Sequence, residues 1–128
     1  MTYYFAKHLD LPFSAALERT RSGLKDAGFG IITEIDVTET LKQKLGAQFR
    51  NYRILGACNP ALAFEALKAE DKVGTMLPCN VIVQESAGGG SEVAAIDPVA
   101  SMQAIDNPAL GRIAGRVQDL LKAVIGGL

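Results

Sequence analysis

Asn80-Val81-Ile82-Val83-Gln84-Glu85-Ser86-Ala87-Gly88-Gly89-Gly90-Ser91-Glu92-Val93-Ala94-Ala95-Ile96 decides the class of fold. Residues 80–86, with Val81, Ile82 and Val83 at their centre, have the β-branched composition of a strand, and residues 92–96 have it again. Ala87-Gly88-Gly89-Gly90-Ser91 between them reads as a flexible hairpin loop. A strand that returns on its neighbour is antiparallel, which favours an α+β fold over a doubly wound parallel sheet. The glycines do not make a phosphate loop, because no Lys-Ser/Thr follows and the chain continues into a strand rather than a helix.

Upstream of the hairpin, Tyr52 to Ala57 is a third strand that stops at Cys58. Asn59 suits a helix N-cap and Pro60 a first helical position, so a helix over 60–71 is expected, burying Ala63, Phe64, Ala66 and Leu67. Residues 72–78 read as extended or irregular. Downstream, Asp97-Pro98 ends the last strand, since the residue before a proline is pushed away from helix. Asn107-Pro108 opens a final helix over 108–125 with Leu110, Ile113, Ala114, Val117, Leu120, Leu121 and Val124 as its buried stripe. Gly111 and Gly115 share a face of it and suggest close backbone approach.

Towards the N-terminus, Thr2 to His8 is a first strand and Pro12 opens a helix over 12–27. Phe13, Ala16, Leu17, Thr20, Leu24 and Ala27 recur at helical spacing, and Gly28 is placed to end the helix in a left-handed cap. Phe29 to Asp36 is the second strand, with Phe29, Ile31, Thr33 and Ile35 expected on one face. A short helix over 38–45, capped by Thr38, turns Leu41 and Leu45 inward, and Gly46 stops it. The order β-α-β-(α)-β-α-β-β-α, without repeat or linker, predicts a single domain over 1–128: an α+β two-layer sandwich with a mainly antiparallel sheet. The two long helices then cover one face of it. Tyr3, Tyr4, Thr33 and Ile82 leave the other face less than fully polar, which suggests a homodimer through that face.

The 128 residues carry a net charge of −1, with 48% apolar and 21% charged side chains, and the pI is about 5.8. These are ordinary globular values. They oppose nucleic-acid binding, which calls for a basic face. The chain lacks the basic-then-apolar start of a secretory signal and any apolar run of about 18 residues, so a soluble cytoplasmic protein is expected.

Both cysteines lie in the stretch from Tyr52 to Asn80, each followed by asparagine and near a proline. Cys58 precedes a helix start, where a thiolate is favoured; the plain alternative is a small buried residue at a strand end. If the strands that hold them run antiparallel, Cys58 and Cys79 lie at one end of the sheet and can share a soft metal or a disulfide. If helix 60–71 is a parallel crossover, they lie at opposite ends and both ideas fail. His8, the only histidine, could complete a Cys58–Cys79–His8 metal set or a Cys–His catalytic pair, although two thiols and one imidazole fall short of the four ligands zinc usually takes. Asn59, Asn80 and Asp97 are further ligand-binding candidates; capping and turn roles explain each of them alone. No Cys-x-x-Cys or other complete catalytic motif occurs, and no cofactor is indicated.

Phe29 to Val37, Tyr52 to Pro60, Leu77 to Val81 and Ala95 to Pro98, in that order, resemble the domain-of-unknown-function family 302. The resemblance covers nearly the whole chain. It implies a fold similar to the TATA-box-binding-protein-like class, β-α-β(4)-α with an extra inserted helix, and a homodimer. It implies no activity, and the fold likeness does not bring DNA binding with it. The reading that results is a homodimeric ligand- or partner-binding module with a cysteine-lined pocket, open to a small molecule or soft metal; the alternative is a thiol-based redox or metal-dependent enzyme or sensor using Cys58 and Cys79.

Overall fold

In the computed structural model, which describes residues 2–128, the hairpin strands are β4 (Cys79–Glu85) and β5 (Ser91–Ile96). They join β1 (Tyr4–Leu9), β2 (Gly30–Asp36) and β3 (Tyr52–Cys58) in one sheet of order β1-β5-β4-β3-β2, antiparallel throughout. The helices are α1 (Phe13–Asp26), α2 (Val37–Leu45), α3 (Pro60–Ala69), α4 (Pro98–Ser101) and α5 (Pro108–Gly126). The α+β class with the long helices on one side of the sheet is thereby established. No helix among the described residues is long and apolar enough to cross a membrane.

Helix α1 ends as its sequence predicts. Gly28 takes φ 89°, the N–H of Phe29 bonds the carbonyl of Leu24 and that of Gly28 bonds Lys25. This is the paired six-to-one and five-to-two closure of a Schellman turn, and Leu24 and Phe29 pack into the same core across it. The core lies between the sheet and the pair α1/α5, built on Leu17, Leu24, Leu55, Val81, Val83, Val93 and Leu121. A smaller cluster of Ala66, Val73, Met102, Leu110 and Ala114 sits beside it under α3, α4 and the start of α5.

Several local expectations are corrected. The register of β2 on β3 shifts between Ile31 and Thr33, so a bulge breaks the alternation: Ile31 stands opposite Ala57, but Thr33 stands opposite Gly56. Thr33 and Ile35 thus face away from the helices, while Glu34 and Asp36, opposite Leu55 and Arg53, turn towards them. Asp36, not Thr38, caps α2 by accepting from the N–H of Glu39; the Thr38 hydroxyl instead bonds Arg50 and Tyr52. Leu45 is 74% exposed. In α3 the buried side chains are Leu62 and Ala66; Phe64 and Leu67 are exposed, because the helix leans on α5 and not squarely on the sheet. Gly111 and Gly115 have open space where a Cβ would stand, so no backbone approaches them. Residues 73–76 form a 3-10 turn, and α4 was not anticipated.

Glu34 accepts from Arg21 of α1 and from Arg53 of β3, and Arg53 also reaches Asp36 at 3.3 Å. Burial favours the neutral carboxyl of Glu34, but the hydrogen bonds from Arg53 and Arg21 outweigh it and hold the group below the ordinary carboxylate range. A carboxylate depressed in the folded state contributes stability above its unfolded pKa of about 4.3 and loses it as pH falls through the folded value. Glu34→Gln is therefore expected to be less stable than the natural chain by about 0.5–1 kcal/mol at neutral pH. Urea unfolding at falling pH should show the gap closing below about pH 4; a gap independent of pH would mean that the charge of Glu34 contributes nothing.

Candidate functional site: a cavity beside two cysteines

Pairing of Ala57 with Cys79 across β3 and β4 settles the geometry that the sequence leaves open. Cys58 and Cys79 lie at the same end of the sheet, both as free thiols. Cys58 is the last residue of β3. Asn59 follows in extended conformation, and its side chain accepts from the N–H of Leu62, closing the first turn of α3. Cys79 opens β4 after the turn through Leu77 and Pro78.

These residues wall an apolar cavity of about 40 Å³ at the seam between the two hydrophobic clusters. Ala57, Cys58 and Cys79 form its sheet side, Leu62, Ala63 and Ala66 of α3 one flank, and Leu110, Ile113, Ala114 and Val117 of α5 the other; Leu77, Pro78, Pro98 and Met102 complete it. Asn59 alone in the lining has a polar amide. Space of this size exceeds the roughly 10–15 Å³ that one water needs, and an apolar wall gives water few partners.

The two thiols differ. Cys58 is half-buried; Cys79 is buried, and burial, with the charge of Cys58 adding to it, pushes the Cys79 thiol up to about 11. At pH 8 a thiol of that kind presents about two orders of magnitude less thiolate than a free one of about 8.5. Alkylation resolved residue by residue should therefore find Cys58 modified in the native protein and Cys79 modified only as fast as the structure opens, accelerating with urea. Equal rates at the two positions would contradict this burial.

The remaining candidates do not join the cavity. His8 stands opposite Glu92, Glu92 opposite Gln84, and Gln84 is five residues from Cys79 along β4. At roughly 3.3 Å per residue along the strands and about 4.8 Å for each of the two strand spacings across, His8 lies more than about 17 Å from Cys79, at the other end of the sheet. There it bonds Ser86 at 3.2 Å and Asp10 at 3.1 Å. Both the Cys58–Cys79–His8 metal set and a Cys–His pair are thereby excluded. Asn80, opposite Gly56, is exposed on the helix-free face. Asp97 caps α4 through the N–H groups of Val99 and Ala100 and accepts from the Gln118 amide. The sequence reading missed Pro98, Met102 and the α5 side of the wall. Asp97-Pro98 carries the same cap-then-proline signature as Asn59-Pro60 and Asn107-Pro108, which could have revealed α4 and with it Met102.

The arrangement defines a two-layer α+β domain with an apolar pocket at a strand end. The chain matches the family described as "Domain of unknown function DUF302" over residues 5–128 and belongs to it. It is similar to a solved structure, the uncharacterized conserved protein DUF302 from Bacillus stearothermophilus, at 28% identity and a TM-score of 0.91, covering 98% of each chain. None of the curated proteins matches the sequence.

Proposed function

We propose that this protein is a homodimeric binding module that takes the apolar end of a small ligand into the cavity beside Cys58 and Cys79. The observation that carries this reading is the cavity itself: uncharged, apolar, and bordered by the half-buried Cys58. Pockets of this kind obtain affinity from apolar burial and orientation from a few polar groups, here the Asn59 amide and the Cys58 thiol. Pentanol, whose narrow methyl end suits a cavity of about 40 Å³, and xenon serve as probes, followed by amide shifts in solution. Saturable shifts at Ala57, Cys79 and Ala114, abolished in the cavity-filling variant Ala114→Leu while the spectrum stays folded, are expected. No saturable shift with either probe would sink the reading.

The dimer surface in this proposal is the helix-free face of the sheet. Tyr52, Ile54, Ile82, Ala94 and Ile96 are half-buried there, and Tyr4 and Ile35 are 42% and 48% exposed. Its centre carries no charge to repel a copy, and sheet faces stack on one another at about 10 Å. Sedimentation should show a dimer at micromolar concentration and a monomer for Ile82→Lys; a monomer in both removes the dimer. The same-end placement of the thiols also favours a second reading, a redox sensor that forms a Cys58–Cys79 disulfide under peroxide. Intact mass showing no loss of two hydrogens after peroxide would dispose of it.

A further inference from the structure

His8, the only histidine, and the Gly88-Gly89-Gly90 turn take no part in the cavity, and they meet at the opposite end of the sheet. Ser86 Oγ lies 3.2 Å from His8 Nδ1, and Asp10 Oδ1 lies 3.1 Å from His8 Nε2. One tautomer of the neutral imidazole, assigned from these two partners, satisfies both contacts: Nε2–H donates to the Asp10 carboxylate, and Nδ1 accepts from the Ser86 hydroxyl. The backbone around the three is tied down. Leu9 pairs with Ser91, and the fully buried Ser91 donates its hydroxyl to the Leu11 carbonyl at 3.0 Å, joining the turn that bears Asp10 to the hairpin that bears Ser86. Gly90 takes φ 73°, and a Cβ there would stand 2.6 Å from the Leu9 carbonyl oxygen and 2.9 Å from His8 Nε2. Glycine alone lets the loop close on the imidazole.

We infer that Ser86, His8 and Asp10 act as nucleophile, general base and positioning residue in the transfer of short acyl groups from esters to water. The roles are those of a Ser-His-Asp triad with the two ring nitrogens exchanged. Ser86 Oγ attacks the ester carbonyl carbon while His8 Nδ1 takes the hydroxyl proton. The bond from that carbon to the alcohol oxygen breaks, and the proton leaves with the alcohol. Water then attacks the acyl-serine, giving a proton to Nδ1, and that proton returns to Oγ as the acid departs. Helix α1, fourteen residues long and capped by no side chain, begins one residue beyond Pro12 of the same depression. Its positive end favours the negative charge that develops on the carbonyl oxygen. Leu11 and Pro12 are the only bulky apolar residues of the wall, which suits a short acyl group.

This site does not depend on the cavity beside the cysteines. The probe is 4-nitrophenyl acetate. Expected are release of 4-nitrophenol above the buffer rate and, after an acid quench, an acetyl group located on Ser86 by mass spectrometry. The His8 side chain is 50% exposed, so His8→Gln should fold, and it should slow release by roughly 100-fold, the lower end for a general base. Asp10 is 99% exposed and water competes for its hydrogen bond, so Asp10→Asn should slow release by no more than about five-fold, and Asp10→Glu should restore it. An acetyl group found only on lysines or the terminal amine, or release by folded Ser86→Ala or His8→Gln as fast as by the natural chain, overturns the assignment.

Discussion

Leu55→Ala is expected to remove about 3–5 kcal/mol of stability. Leu55 is fully buried at the middle of β3, between Glu34 of β2 and Val81 of β4, and points into the core under α1 and α5. Deleting its side chain forfeits the transfer free energy of the lost carbons and leaves a void that a sheet, fixed on both sides by hydrogen bonds, closes poorly. Against a total stability of about 5–15 kcal/mol for a domain, the loss is large enough to lower the melting temperature by roughly 10–20 °C. Leu67→Ala deletes the same carbons from a side chain that is 44% exposed and should change stability by no more than about 0.5 kcal/mol. Urea unfolding of the two variants side by side is the check. Similar losses in both would mean that α3 packs more deeply than the structure places it.

Gly56→Ala, one residue on and facing the other way, is the second large effect. A Cβ at Gly56 would overlap Thr33 Oγ1 and lie 2.7 Å from Pro78 Cγ. Neither obstacle is the end of a long side chain. Thr33 belongs to the bulged part of β2 and Pro78 to the turn that delivers Cys79, so one of them must move as backbone. Overpacking of this kind costs about 1–3 kcal/mol and sometimes more. Adding Thr33→Ala removes one obstacle and should return part of the loss, giving a coupling of about 0.5–3 kcal/mol between the sites. Gly88→Ala, at a loop position with open space around it, should be silent. A Gly56→Ala protein as stable as the natural one would show that the turn before Cys79 yields freely. The cavity beside it would then have no fixed shape.

Much of this fold was legible because short-range chemistry announces it. The glycine-rich turn between two β-branched runs gave the hairpin, the Leu24-to-Phe29 segment gave the end of α1, and the cap-then-proline pairs gave the starts of α3 and α5. The bulge in β2 was not legible, since Ile31, Ile32 and Thr33 are all good strand formers and which of them is the extra residue depends on Gly56 across the sheet. The face of α3 was misjudged for a similar reason: Phe64 and Leu67 are as apolar as Leu62, and only the position of α5 selects among them. Of the site, the sequence supplied Cys58, Asn59 and Cys79 but not their meeting, which needed the strand order. That same order separates His8 from them, and it moves Asn80 to the opposite face.

The sheet order has a further consequence for synthesis. β1 has a single neighbour, β5, and its pairs run from Tyr4 with Ile96 to Leu9 with Ser91. Until residue 96 has left the ribosome, the amino-terminal strand has no hydrogen-bonding partner, whereas β2, β3 and β4 can pair as they emerge. At about 5–20 residues per second this leaves it bare for roughly 4–17 s. Tyr3, Tyr4 and Phe5 lead that strand, so the nascent chain presents an aromatic, unpaired edge throughout, and it is here that a chaperone has both the time and the surface to act.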